Sequence, residues 1–231
     1  VAATKGKSPK RKDRSMAELL PNGPLDIYEK YAGLTTREQV IVITALLDVA
    51  LGELLYARLR LSDPEIVEFL IGYGADSGPL KGLANRARMC RALTVIMRPE
   101  MEAMLEIAKL RNVFAHRVEA DILSPEINNL LQKANAHLKV HALGFYKVKP
   151  VPGITVEQYS AKYDAMAIRA KSDAKGAEEL FRHVAMTAYS FIYFHQKHCD
   201  PVFFAMPDDA QQKHDQPGGT KVRVIKWKEI G

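Results

Sequence analysis

The chain has 231 residues, 47% of them apolar and 26% charged, with a net charge of +6 and two cysteines. A chain of this length can bury a substantial core as one large domain with extensions, and the composition is that of an ordinary soluble globular protein. Cys90 and Cys199 form neither a disulfide framework nor a CxxC pair, so a reducing compartment is expected, and with it a cytoplasmic location. The positive charge is concentrated at the ends. Residues 1–14 carry +5 (Lys5, Lys7, Lys10, Arg11, Lys12 and Arg14 against Asp13), residues 220–231 carry +3 (Lys221, Arg223, Lys226 and Lys228 against Glu229), and the body is left at −2. Tails of this kind attract polyanions at long range and also solubilise a chain.

Residues 1–20 read as a basic disordered tail with a short helix at Met16–Leu20, and no apolar stretch follows to make a signal peptide. "PNGP" closes it as a turn. Thr35 and Glu38 have the spacing of a capping box. The following "REQVIVITALLDVALGELLYARLRL" is apolar on nearly every side, as expected of a central helix covered by neighbours. Thr44, Asp48 and Gly52 interrupt it every fourth residue and form one narrow polar stripe. The longest apolar run, Val40–Leu47, meets Asp48 well short of the ~20 residues of a membrane span.

"SDP" at 62–64 starts a short helix through Leu70, and "GYGADSGP" makes a loop. Leu80–Ile96 reads as a helix bearing Arg86, Arg88 and Arg91. Pro99 opens a further helix that ends in "KLRNVFAHR" at 109–117. Ser124-Pro125-Glu126 starts a helix to about His141 by the same N-terminal signal, and "KVKPVPGI" breaks the pattern. Glu157–Ala170 forms another. Asp173 caps a longer one through His198, with Leu180, Phe181, Val184, Ala188 and Ile192 inward. After Pro201 the chain is polar until "TKVRVIKWK", whose partial alternation suggests a short extended segment. No repeat and no alternation of strands with helices is present, so the fold class is all-α. Residues 21–200 form the helical domain, and residues 201–231 a polar and basic tail.

"KLRNVFAHR" carries the chemistry. With Met101 as zero and 100° per residue, Arg111 falls near 280°, in a gap between two apolar sets, while Asn112 and His116 lie near about 20° and 60°. Arg111 is therefore expected to be buried and to need an anionic partner, for which Asp48 is the candidate. The alternative reading is phosphate chemistry. RNA carries its own nucleophile, the 2′-hydroxyl, so cleavage needs a base, an acid and a cation beside the phosphorane, and no metal. His116 would act as base or acid, Arg111 as the cation and Asn112 as a positioning group. A two-fold dimer would supply the second histidine, and an exposed apolar face on this helix would suit it.

"RNVFAH" has the form of the arginine–polar…histidine motif of HEPN domains. Together, "ITALLDVALGELLYARL", "GPLKGLANRARMCRAL" and the Pro-started helix ending "AKLRNVFAHR" resemble the mannitol operon repressor family, a branch related to HEPN proteins. The resemblance covers residues 35–123, leaving 124–200 as additional helices. It implies a HEPN-like helical bundle, self-association, and Arg111, Asn112 and His116 as the motif positions. Asp48 falls where that family's central helix carries an acidic residue. HEPN relatives include metal-independent ribonucleases and inactive members that bind RNA or proteins. The family's name implies transcriptional repression, yet no helix-turn-helix with a basic recognition helix stands out.

The expectation is a homodimeric regulatory module that binds RNA or protein, with a metal-independent endoribonuclease as the alternative and a repressor as the third reading. Lys10, Arg11, Lys12, Arg86, Lys221, Arg223 and Lys226 are the candidate nucleic-acid contacts. No cofactor, metal or membrane is expected. His137 and His141 have a helical spacing that can hold a metal, but no acidic or cysteine partner is fixed nearby. His195, His198 and Cys199 read as a helix end where cations favour the dipole. Tyr189, Phe191, Tyr193, Phe194 and Trp227 read as core sooner than as a base-stacking platform. No phosphate-binding glycine loop or G-x-S-x-G occurs.

Overall fold

The computed structural model describes residues 27, 29–59, 70, 79–148 and 155–198, leaving aside the side chains of 144–148 and 198. Among the described residues the fold is all-α, with six helices: α1 Thr36–Leu59, α2 Leu83–Ala92, α3 Arg98–His116, α4 Pro125–Val148, α5 Val156–Arg169 and α6 Ala174–His198. The expected basic tails, the helix from 62 to 70 except Leu70, and the extended segment near 220 lie outside the described residues.

Local chemistry sets the helix ends. The amide of Thr35 donates to Glu38 Oε2 at 2.9 Å and the Glu38 amide donates back to Thr35 Oγ1 at 3.4 Å, which closes the expected capping box of α1. Asp173 accepts from the amides of Lys175 and Gly176, each at 3.1 Å, and so starts α6. The helix expected over Leu80–Ile96 is shorter. Gly82 precedes it with φ +85°, a conformation that favours glycine. Thr94, at φ 55°, turns the chain after it, while the Val95 amide reaches back to Cys90 O at 2.8 Å. Val95 and Ile96 are buried beyond that turn, so their apolar character extended the pattern without extending the helix. α4 runs on past His141 to Val148.

Cross-helix contacts fix the topology. Glu102 and His137 meet between α3 and α4, Lys139 and Asp164 between α4 and α5, and Arg169 and Glu179 between α5 and α6. These pairings make α3, α4, α5 and α6 an up-down-up-down series. α1 lies parallel to α6, with Thr36 on Glu178, Arg182 Nη1 on Gln39 Oε1 at 2.9 Å, and Gln196 Nε2 on Ala50 O at 3.1 Å. α2 packs on α1 and α3 through Leu83, Ala87 and Cys90, all within the continuous core.

α1 is the central helix that the sequence suggests. Val40, Ile43, Leu47, Leu51, Leu54 and Leu55 are all buried. By length and composition it could cross a membrane, although its longest uninterrupted apolar run is short. More than half of its most apolar window is covered by the other helices, which fits the core helix of a soluble protein. The five expected inward residues of α6 are buried, as are Tyr189 and Phe191. Tyr193 and Phe194 are half-buried, and Trp227 lies outside the described residues.

Candidate functional site

Arg111 is exposed, which corrects the expectation that it is buried against Asp48. Its Nη1 donates to the neighbouring Asn112 Oδ1 at 3.3 Å. The cation that Asp48 receives is Arg86, from α2. Arg86 is 4% exposed, its Nη1 lies 3.1 Å from Asp48 Oδ1, and the same nitrogen donates to the Asp48 carbonyl at 2.8 Å. Its Nε donates to Leu80 O at 3.0 Å. Arg86 was also an expected nucleic-acid contact. That expectation fails, because a buried guanidinium committed to a half-buried carboxylate and two carbonyls has no face for a phosphate. Leu110 and Phe114, on either side of Arg111, are each 1% exposed, so this part of α3 is covered, and the gap between the two apolar sets opens to solvent at Arg111.

Asp48 nevertheless links the two arginines. Burial pushes its carboxyl above the usual range, and the charges of Arg86 first and Arg111 second pull it back. Arg111 therefore stands within electrostatic reach of the polar stripe of α1.

Asn112 and His116 are exposed on the same end of α3, and His116 makes no hydrogen bond or ion pair among the described residues. Beside them, Arg37 of α1 donates from Nη1 to Arg117 O and Val118 O, both at 3.2 Å, and from Nη2 to Ala115 O at 3.4 Å. It thereby satisfies carbonyls left open at the end of α3. Arg117 is paired with Glu126 at the start of α4. The structure thus brings Arg111 and Asn112 into contact and exposes His116 with them. The tail residues Lys10, Arg11, Lys12, Lys221, Arg223 and Lys226 lie outside the described residues.

A second polar cluster occupies the opposite end of α3. Glu100, 0% exposed, accepts from the Met97 amide at 2.6 Å, and its Oε1 lies 3.1 Å from His141 Nε2. His195 Nε2 lies 3.3 Å from both carboxylate oxygens. Burial acts on Glu100 most strongly and would raise its pKa. The hydrogen bonds from His141, His195 and the Met97 amide outweigh it together and hold the carboxyl at about 2. One turn along α4, His137 Nδ1 pairs with Glu102 Oε2 at 3.2 Å. Both histidines of α4 therefore have acidic partners, Glu102 and Glu100, contributed by α3 and not by α4 itself. His195 does not cap a helix end, as expected, but binds across the bundle. Among the described residues, no three His, Cys, Asp or Glu side chains are disposed to hold a metal ion. The one local hint of this cluster was the four-residue spacing of His137 and His141; Glu100 itself resembles any first-turn acid.

Comparison with family models, with curated proteins and with solved structures finds no match to this chain.

Proposed function

We propose that this protein is a HEPN-like regulatory module that binds RNA through the C-terminal end of α3 and works as a homodimer in the cytoplasm. The observation that carries the reading is the exposure of Arg111, Asn112 and His116 while Arg86 already meets the half-buried charge of Asp48. None of the three is committed to holding the core, so their hydrogen-bonding groups are available to a ligand. A guanidinium beside a carboxamide suits a phosphodiester, which accepts charge-assisted hydrogen bonds at more than one oxygen. Resemblance to the mannitol operon repressor family supports the same residues.

Self-association is supported by a partly buried stripe along α3, formed by Met101, Leu105, Ala108 and Ala115 with Asn112 and His116 at its edge, of which Met101 and Ala108 also pack on the chain's own core. A two-fold axis along that stripe would bring two copies of His116 together. Light scattering at micromolar concentration should report a dimer.

The alternative, a metal-independent endoribonuclease, is favoured by one specific feature, the exposed imidazole of His116 with no competing partner among the described residues. Incubating the pure protein with labelled single-stranded RNA in EDTA tests both. A retarded but intact RNA is the expected result for the binding module. New ends bearing a 2′,3′-cyclic phosphate would select the nuclease, and RNA neither retarded nor cut would refute both.

A further inference from the structure

α5 is held to the bundle by little buried surface. It buries one side chain, Tyr163, where the shorter α2 buries four. Tyr159 and Met166, a turn to either side of Tyr163, are only partly covered where they pack on the core. The three positions form a single narrow seam. The other ties of α5 are polar. Gln132 Nε2 donates to Ala167 O at 2.8 Å, Asn128 Nδ2 to Ala170 O at 2.6 Å, and Asp164 pairs with Lys139 at the surface.

Tyr163 closes the seam against His183 of α6, their rings edge-on with centroids 4.6 Å apart. The Tyr163 hydroxyl lies 3.5 Å from Thr187 Oγ1, which itself donates to His183 O at 2.8 Å. Thr187 gives its one proton to that carbonyl, so the Tyr163 hydroxyl is the donor to Thr187. His183 is 9% exposed, and its Nε2 is enclosed with no hydrogen-bond partner among the described residues. A neutral imidazole tolerates this by carrying its proton on Nδ1. An imidazolium cannot, because it carries a proton on both nitrogens, and the Nε2 proton would be buried without an acceptor. Groups on the packed helices do not relieve it. Burial first, and the like charge of Lys162 on α5 second, hold this imidazole down at about 4 against an ordinary 6.5. The Tyr163 phenol, pushed up by burial, stays neutral. On α4, Asn128 and Gln132 are neutral amides turned to α5, and Lys139 is paired. Gln39 of α1 receives Arg182. α3 presents Glu100 at His195, about three turns further along α6. On α6 itself, Glu178 meets Thr36 and Glu179 meets Arg169.

We propose that His183 is a proton-operated release for α5: neutral, it completes the seam that holds Tyr163, and protonated, it leaves the seam for water and α5 separates from α6. Above pH 6.5 neither the closed nor the open form holds the extra proton, and the seam is closed. Below it the open form takes up a proton that the closed form refuses until about 4. The closed form therefore loses its advantage by about tenfold for each pH unit across that interval. The release is independent of what the end of α3 binds.

Amide hydrogen exchange of the full chain, expressed as protection factors between about pH 7.5 and 4.5, reads local opening helix by helix. The expected result is that opening of α5 rises toward about tenfold per pH unit below 6.5 while α1 keeps its protection. His183→Leu removes the titration and should abolish this pH dependence in α5. Protection of α5 that does not change with pH in the unmodified chain, or that falls as steeply in His183→Leu, would overturn the proposal. An equal loss in α1 and α5 would overturn it too, since the whole bundle would then be unfolding. Should His183→Leu fail to fold, the His183 imidazole resonance of the unmodified chain decides. A titration that coincides with the loss of α5 protection supports the release, and one that proceeds while α5 stays protected overturns it.

Discussion

Replacing Arg86 by Met is the perturbation that separates structure from function most sharply. The substitution preserves an apolar stem in a site that is 4% exposed and removes three contacts: the ion pair with Asp48 and the hydrogen bonds to the Asp48 and Leu80 carbonyls. Breaking a buried pair leaves an uncompensated charge and costs about 3–5 kcal/mol. The Asp48 side chain is 27% exposed and recovers some hydration, so the lower end, about 3 kcal/mol, is expected. For a chain of this size that corresponds to a fall in Tm of roughly 6–12 °C. Arg111→Met, at an exposed site, should change stability by no more than about 0.5 kcal/mol. Guanidinium unfolding of both variants measures the order. The pH dependence follows from the sign of the Asp48 shift. Its folded pKa lies above the ordinary value, so it favours folding only when protonated, and that contribution is lost as pH rises through the folded pKa. Without Arg86 the shift grows, and the deficit of Arg86→Met should shrink as pH falls through the raised folded pKa of Asp48. A larger loss in Arg111→Met than in Arg86→Met would refute the assignment of Asp48's partner.

Three further outcomes are expected. Gly176→Ala should destabilise by about 1–3 kcal/mol in spite of alanine's helix propensity, because a Cβ there would meet Arg169 Cγ at 2.7 Å and the Arg169 backbone at 3.2 Å; thermal melting reads the sign. Glu100, lowered from 4.5 to about 2 in the folded state, contributes stability that is present above pH 4.5 and lost as pH falls toward 2. The stability deficit of Glu100→Gln in acid titrations should therefore narrow over that interval. RNA affinity should weaken steeply with salt through counterion release, and deleting residues 1–14 and 220–231, which carry +5 and +3, should flatten the slope of log affinity against log salt.

The parts of the fold that were legible in the sequence are those written locally. Thr35 with Glu38, Asp173 before α6, and the inward spacing of Leu180, Phe181, Val184, Ala188 and Ile192 each depend on residues within one element, and the structure has them as expected. The partner of Asp48 was not legible. Arg86 and Arg111 both lie on helices beside α1 and both act on Asp48, and which guanidinium is covered depends on how those helices pack and not on the residues of either helix alone. The Glu100 cluster was hidden for a related reason. His141 and His195 reach the same carboxylate from helices that are antiparallel to α3, and no spacing within one helix records that meeting. Arg111, Asn112 and His116 stand exposed together on α3, whereas the burial expected for Arg111 is not observed.

The central claim is that the exposed end of α3 serves a ligand and not the core. The most direct measurement is RNA affinity of an Arg111→Ala/His116→Ala double variant beside its melting temperature. The expected result is a Tm within about 4 °C of the unmodified protein, as for two exposed substitutions, together with at least a tenfold loss of affinity, about 1.4 kcal/mol. A variant that melts normally and binds RNA as tightly as the parent would contradict it.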